Sequence, residues 1–253
     1  MERIDLLNRI IEELSKQGVP IVFKGAMLLN NILANDNPSN IYRKTFDIDG
    51  NWIGDNPDIN EIRNYIQKAV NNINSDYHVS IVREFTERRS AGFKIYVDNN
   101  GKQDTIASID ISVKKVNQTV DYYSYINNIT FKGVSLDKMI TDKIATISTR
   151  QIYRRTKDLI DLYVLSFLTE FNYDEVFRIL EFDNRELGDF EHFKNNIEHV
   201  EHAYSKLENI SNKPSFEEVY ERLKQKLKPF IDNPQPPDGG IGSFEKNKKG
   251  RQR

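Results

Sequence analysis

The sequence contains no cysteine among its 253 residues, and it has only one tryptophan and four histidines. The lack of cysteine excludes disulfide bonds, thiolate zinc sites and cysteine nucleophiles. The histidines are scattered apart from His199 and His202 in a polar segment, so a zinc site is not expected. The net charge is only −2, so any attraction to nucleic acid would have to come from local basic patches.

The sequence also lacks an apolar run long enough to span a bilayer, and its amphipathic start does not resemble a signal peptide. We therefore expect a soluble, cytoplasmic protein with no membrane partner. The hydrophobic share is a modest 38%, but 14 phenylalanines and 12 tyrosines can still form a core. A chain of this length suits two modest domains or one large domain.

Hydrophobic periodicity divides the chain into an α/β (α+β) domain at 1–133, a helical domain at 134–232 and a flexible basic tail at 233–253. The tail cannot bury enough apolar surface to become ordered. Helices are predicted at 2–17, directly after 24–26, and at 59–73, 135–150, 156–169, 173–182, 190–209 and 215–231. Strands are predicted at 21–23, around 45–52, and at 77–82, 92–97 and 106–113.

An Asp-x-Asp pair lies on a strand in which Phe46, Ile48 and Trp52 form the apolar face. Asp47 and Asp49 then point the same way, roughly 7 Å apart. Like charges at this spacing repel each other unless a cation lies between them. Because Mg²⁺ is usually held by one or two carboxylates together with substrate phosphates, the pair predicts a magnesium site. The competing interpretation is a solvated strand face with two unrelated acids.

Two further segments could complete such a site. Lys24-Gly25-Ala26 connects a short buried-type strand to a helix, and the N–H groups at that helix start could bind a phosphate, although ordinary α/β folds share this geometry. In the strand at 106–113, Asp110 lies on the polar face with Ser108 and Ser112. Asp110 is a third candidate carboxylate if that strand neighbours the Asp-x-Asp strand, and otherwise an exposed acid.

Charged residues also occur within apolar helix faces of the second half. Lys143 falls inside the buried stripe of its helix, and Asp158 and Asp161 lie among the apolar residues of the next. Burying a lysine requires an accompanying anion, because its desolvation is costly. The Lys143–Asp161 pair could therefore be a structural ion pair between two helices, or Lys143 could lie beside a triphosphate. A basic patch lies between these helices, comprising Arg150, Arg154, Arg155 and Lys157.

In this order, the segments resemble the AbiEii-type nucleotidyltransferases of the DNA polymerase β superfamily, which are toxins or phage-defence (abortive-infection) components. The resemblance covers most of residues 20–165. Its motifs are Lys24-Gly25-Ala26, Arg43-Lys44-Thr45-Phe46-Asp47-Ile48-Asp49, Asp142-Lys143-Ile144-Ala145 and Arg154-Arg155-Thr156-Lys157-Asp158-Leu159-Ile160-Asp161. One departure is Ala26, where many members of the wider superfamily have a serine whose hydroxyl contacts a nucleotide phosphate.

The resemblance implies a polymerase β-like mixed sheet with flanking helices, followed by an all-helical domain. It implies transfer of a nucleoside monophosphate from an NTP to an acceptor hydroxyl at a two-magnesium site. The implied catalytic residues are Asp47, Asp49, Lys143 and Asp158. The implied metal ligands are Asp47, Asp49 and Asp110, and the implied nucleotide-binding residues are Lys24, Gly25, Ala26, Arg43, Thr45 and Asp161.

Within this family, MenT-like members modify the acceptor ends of transfer RNAs and are restrained by an antitoxin protein. The basic patch and the basic tail are compatible with an RNA acceptor. The acceptor could instead be a small molecule, such as an aminoglycoside-type antibiotic, or a protein side chain. The chain could also be a catalytically degenerate protein that binds a nucleotide or a partner, or a purely structural α/β protein whose acids are ion-paired.

Overall fold

The computed structural model of the chain describes residues 3–55, 57–85, 90–113, 115–116, 118–124, 128–149 and 152–235. Its helices are α1 (Arg3–Lys16), α2 (Gly25–Asn35), α3 (Ile59–Ile73), α4 (Leu136–Ile147), α5 (Lys157–Leu168), α6 (Tyr173–Phe182), α7 (Glu191–Asn195), α8 (Ile197–Ser205) and α9 (Phe216–Asp232). Its strands are β1 (Ile21–Lys24), β2 (Tyr42–Arg43), β3 (Asp47–Trp52), β4 (Tyr77–Arg83), β5 (Ser90–Asn99), β6 (Lys102–Ser112), β7 (Thr119–Ser124), β8 (Ile129–Val134) and β9 (Ile210–Ser211).

Seven of these strands form one mixed sheet in the order β4-β5-β6-β3-β1-β8-β7. The β3–β6 and β1–β8 pairs are parallel, and the other four pairs are antiparallel. Helices flank the sheet, and helices also dominate the chain after β8. This architecture confirms the predicted mixed α/β sheet followed by a helical region. The central strands are the ones that carry the acidic residues predicted from the sequence.

Alternation along β6 follows the prediction, because Ala107, Ile109 and Ile111 are buried while the residues between them are only partly covered. On β3, Ile48 and Trp52 are buried as predicted. Phe46 is different, since 41% of its surface is exposed. Its placement on the apolar face was wrong, because β3 begins only at Asp47 and Phe46 precedes the paired segment.

The hairpin of β7 and β8 was not predicted from the sequence. Most residues of β7 are exposed, so the strand has no buried face that could produce a recognisable hydrophobic pattern. At Gly133 of β8, an added Cβ would lie 2.8 Å from side-chain atoms of Leu28 and Tyr122. This close approach lets α2 and β7 pack against the strand, which explains a glycine inside a β-strand.

In the described part of the chain after β8, the one β-strand is β9, which pairs antiparallel with β2 of the first half. The single helix predicted at 190–209 was wrong, because the chain forms α7 and α8 instead. The two helices are separated at Asn196, whose backbone has φ −119° and ψ 42°. Asn209 and Asn212, with φ of 61° and 52°, then provide the left-handed turns on either side of β9.

The connection from sheet to helical region is direct, since β8 ends at Val134 and Ser135 caps α4. The Ser135 hydroxyl accepts a hydrogen bond from the Lys138 N–H at 3.1 Å. The domain boundary at 133/134 stays a prediction, and residues 236–253 of the predicted tail lie outside the described residues. Within the described ranges, no helix is both long and apolar enough to cross a membrane.

Candidate active site

The register of the sheet brings the three predicted carboxylates to one region. Asp49 of β3 is the direct partner of Asp110 on parallel β6, and Asp47 is the partner of Ser108. Partner residues of neighbouring strands lie about 5 Å apart and point to the same face. The Ser108 hydroxyl donates a hydrogen bond to Asp47, and Arg83 Nη2 donates to Asp110 Oδ1 at 2.5 Å. Asp110 was a candidate only if its strand neighbours the Asp-x-Asp strand, and the structure shows that it does.

The surroundings of Asp49 disfavour its ionised form. Burial raises its pKa, and the negative charges of Asp110 and Asp47 raise it further, while the positive charges of Lys24 and Lys157 act in the opposite direction. The net pKa is raised, so the ionised carboxylate is held at a cost in this environment. A bound cation would lower that cost.

Gly25 has a left-handed backbone with φ +73°, and a Cβ there would lie 2.6 Å from Asp49 Oδ2. Only glycine allows the turn between β1 and α2 to pass this close to the carboxylate. The positive end of α2 consequently lies beside Asp49. Ala26, in the first turn of this helix, is buried, so its contribution to a nucleotide site would come from its backbone N–H.

Gly25→Ala and Gly18→Ala form a matched pair that tests this arrangement. Gly18 also has a positive φ, of 66°, but nothing lies within 4 Å of an added Cβ. We expect each substitution to lower the free energy of unfolding by about 1 kcal/mol through backbone strain. Only Gly25→Ala should also abolish nucleotidyl transfer, because it displaces Asp49. Equal activities for the two variants at matched folded fraction would contradict the assignment of this turn to the site.

Lys24 lies at the end of β1. Its Nζ donates to Asn51 Oδ1 at 2.7 Å and approaches Ser112 Oγ at 3.4 Å. Asn51 and Ser112 are paired with each other, two residues beyond the paired Asp49 and Asp110. Lys24 therefore supports Asp49 electrostatically from within the sheet, and its contact with a nucleotide stays a prediction. Thr45 contributes a hydroxyl 3.5 Å from the Asp47 N–H.

A second group of charges connects the two halves of the chain, and we call it the Lys143 cluster. Lys143 Nζ lies 3.0 Å from Asp158 Oδ1 and 2.5 Å from Asp161 Oδ2. Arg43 binds the Asp161 carboxylate through two hydrogen bonds of 2.8 and 2.9 Å. Arg155 Nε lies 3.1 Å from Asp158 Oδ2. The ion pair considered from the sequence therefore exists, and it includes two arginines as well.

The central charges of the Lys143 cluster are almost completely buried, with 8% of Lys143 and 1% of Asp161 exposed, whereas the side chain of Arg155 is 51% exposed. Burial alone would lower the pKa of Lys143, but the carboxylates of Asp161 and Asp158 outweigh it and raise the pKa. Burial would raise the pKa of Asp161, but Lys143 and Arg43 lower it to about 2. Lys143 and Asp161 are thus held ionised by their partners.

Arg43 is placed by backbone contacts on both sides. Its carbonyl oxygen accepts a hydrogen bond from Asn30 Nδ2 of α2 at 2.9 Å, and its strand pairs with Ile210 of β9. Burial would lower the pKa of Arg43, but the negative charges of Asp161 and Asp158 outweigh it and raise the pKa. The charge of Asp49 adds a smaller effect in the same direction. Arg43 therefore joins the first half of the chain to the Lys143 cluster, and its charge also acts on Asp49.

Sequence reasoning did not single out Ser108 or Arg83 as groups that hold the acids. The alternation along β6 placed Ser108 on the correct face, but only the strand pairing shows that it contacts Asp47. Of the basic patch, Arg155 and Lys157 are exposed. Arg150 and the side chain of Arg154 lie outside the described residues.

The carboxylates match the chemistry of magnesium, which prefers oxygen ligands and needs only one or two of them from the protein. Among the residues described, no three His, Asp or Glu side chains already form a group that could hold a metal. Asp47 and Asp49, facing Asp110 on the sheet, nevertheless supply adjacent oxygens whose mutual repulsion a cation would relieve. These residues fit a cation whose coordination is completed by substrate phosphates.

The structure thus has the features that the resemblance to nucleotidyltransferases implies, namely a mixed sheet, an Asp-x-Asp strand and a glycine turn at a helix start. The structure is similar to that of MenT4, a nucleotidyltransferase toxin from Mycobacterium tuberculosis H37Rv, with a TM-score of 0.55 and 14% identity over 91% of this chain and 83% of that chain. No curated protein matches the sequence. The sequence profile of the nucleotidyl transferase AbiEii toxins of type IV toxin–antitoxin systems matches residues 5–238. The chain belongs to this family.

Proposed function

We propose that this nucleotidyltransferase toxin transfers a nucleoside monophosphate from an NTP to the acceptor end of an RNA, specifically a transfer RNA, in the cytoplasm. The observation that carries the proposal is the direct pairing of Asp49 with Asp110 next to the Gly25 turn. This pairing gathers carboxylates and helix-end N–H groups in one place. The antitoxin implied by the family would restrain the activity in the cell.

The reaction would be an attack by the acceptor hydroxyl on the α-phosphorus of the NTP. The new bond joins the acceptor oxygen to that phosphorus, and the bond to the oxygen that bridges to the β-phosphate breaks, releasing pyrophosphate. Asp47 and Asp49 would hold Mg²⁺, which supplies charge stabilisation for the attacking and departing oxygens. Asp110 would share a metal and accept the proton of the acceptor hydroxyl.

The triphosphate would lie against cations on the helical side of the site. Lys157, at the start of α5, is exposed, and its positive charge partly offsets the causes that raise the pKa of Asp49. We propose that Arg43 and the buried Lys143 add positive electrostatic potential from beneath the surface that the triphosphate contacts. Asp158 and Asp161 would hold these two cations in position. Catalysis would then come from positioning and charge stabilisation, as in phosphoryl transfer generally.

The test is the transfer of label from each of four α-³²P NTPs to total cellular RNA in the presence of Mg²⁺. The wild-type protein is compared with Asp49→Asn and with wild type in EDTA. We expect label in a band of transfer-RNA size with the wild type and Mg²⁺ alone. If label appears only in protein or in small molecules, the acceptor belongs to that class and the RNA proposal is wrong.

A further inference from the structure

The outer strands β4, β5 and β6 present a polar face beside the carboxylates, which we call the outer sheet face. It carries His78 and Ser80 of β4, Lys94 and Tyr96 of β5, and Ser108 of β6. The apolar face of the same strands is buried, as Val79, Phe93 and Ile95 show. The role of the outer sheet face is not explained by the core or by the proposed transfer chemistry.

The rings of His78 and Tyr96 lie together on the outer sheet face, with their centroids 5.6 Å apart and an angle of 41° between their planes. His78 is exposed and Tyr96 is half-buried. Lys94, two residues before Tyr96, is exposed, and no carboxylate among the described residues pairs with it. The surface thus combines two rings with a cation available to an anionic ligand.

The strand register connects this surface with the catalytic region. Lys94 is the partner of Ser80 on one side and of Ser108 on the other, and Ser108 is the partner of Asp47. With strands about 5 Å apart and a rise of about 3.3 Å per residue, the backbone of Tyr96 lies roughly 12 Å from that of Asp47 and the backbone of His78 roughly 16 Å. A short ligand chain in an extended conformation could therefore contact the two rings and Asp47 at the same time.

We infer that the outer sheet face binds the single-stranded end of the RNA acceptor, stacking a base on Tyr96 and His78 and placing a phosphate at Lys94. This inference rests on the proposed RNA acceptor. Single-stranded RNA is commonly bound by aromatic side chains on which bases stack, combined with a positively charged track for the backbone. Ser80 and Ser108 add hydrogen-bonding groups between the rings and the carboxylates.

A protein acceptor fits this surface less well. Val82 is the only large exposed hydrophobic residue on the described parts of β4, β5 and β6. Protein docking sites usually contain a contiguous apolar core, whereas the outer sheet face carries polar groups around two rings. Its chemistry therefore favours a nucleic acid strand.

The experiment measures initial rates of label transfer to total transfer RNA for the wild type, Tyr96→Ala, Tyr96→Phe, Lys94→Ala and Lys228→Ala. Lys228 is an exposed lysine of α9 with 71% of its side chain accessible, and it serves as the matched control for Lys94. The concentration of RNA and the concentration of NTP are varied separately, which gives a KM for each substrate. Thermal melting verifies that each variant is folded.

We expect Tyr96→Ala to raise the KM for RNA about tenfold, because a stacked base is lost. The kcat and the KM for NTP should stay within about twofold of wild type, since this surface lies outside the nucleotide site. Tyr96→Phe and Lys228→Ala should behave as wild type. Lys94→Ala should raise the KM for RNA and reduce the slope of log KM against log salt by about 1.

The results separate the two proposals. An unchanged KM for RNA in folded Tyr96→Ala and Lys94→Ala, with normal RNA labelling by wild type, would overturn the inference and leave the proposed function intact. A wild type that labels no RNA would overturn the proposed function and this inference with it. A lowered kcat with an unchanged KM for RNA would also contradict the inference, because it would place these residues in the chemical step.

Discussion

Replacing Asp49 with asparagine is expected to lower the rate of nucleotidyl transfer by a factor on the order of 10² to 10³. The substitution keeps the shape of the side chain but removes the negative charge that faces Asp110 and the Gly25 turn. An amide oxygen is a weaker ligand for a hard cation than a carboxylate, so saturating Mg²⁺ should not restore the rate. The measurement is the initial rate of label transfer at matched protein concentration.

The same substitution should leave stability unchanged or improve it. The pKa of Asp49 is raised by burial, by Asp110 and by Asp47, so the folded protein loses stability as the pH rises through that pKa. A neutral asparagine removes this cost at pH 7. Asp121→Asn, at an exposed acid of β7, serves as the control and should leave the rate unchanged. If Asp49→Asn lowered the free energy of unfolding by several kcal/mol, misfolding would explain its inactivity instead.

Asp161→Asn is expected to cost about 3–5 kcal/mol of unfolding free energy, the largest stability effect that we predict. Asp161 is buried and pairs with both Lys143 and Arg43. The amide would leave two buried cations with much less compensating charge. Urea unfolding at pH 7 measures the change. Asp232→Asn, which removes an exposed pair with Lys228, should cost less than about 1 kcal/mol.

The contribution of Asp161 should also depend on pH. Because its pKa is lowered to about 2, the ionised carboxylate stabilises the folded state fully above its unfolded pKa of about 4. That contribution is lost as the pH falls from about 4 towards 2. The difference in unfolding free energy between wild type and Asp161→Asn should therefore shrink over this range. A difference that stays constant down to pH 2 would mean that the ionisation of Asp161 does not account for its contribution to stability.

Several local features of the site followed from the sequence because they depend on short-range periodicity. The alternation around Asp110 identified its polar face, and helical spacing placed Lys143 within a buried stripe. Phe46 shows the limit of this reasoning, since alternation does not indicate where a strand begins. The β7–β8 hairpin shows another limit, because an exposed strand has no hydrophobic signal.

By itself, the sequence determined which residues are candidates for the site, namely the Asp-x-Asp pair, the glycine turn, and the charges inside apolar helices. Charged residues at positions that the hydrophobic periodicity predicts to be buried, and like charges on one strand face, can be recognised from the sequence alone. Only the tertiary structure decided that Asp110 faces Asp49, that Arg43 joins the Lys143 cluster, and that His78 and Tyr96 share a surface. These contacts join residues far apart in the chain, and strand order and register, which no local pattern encodes, bring them together.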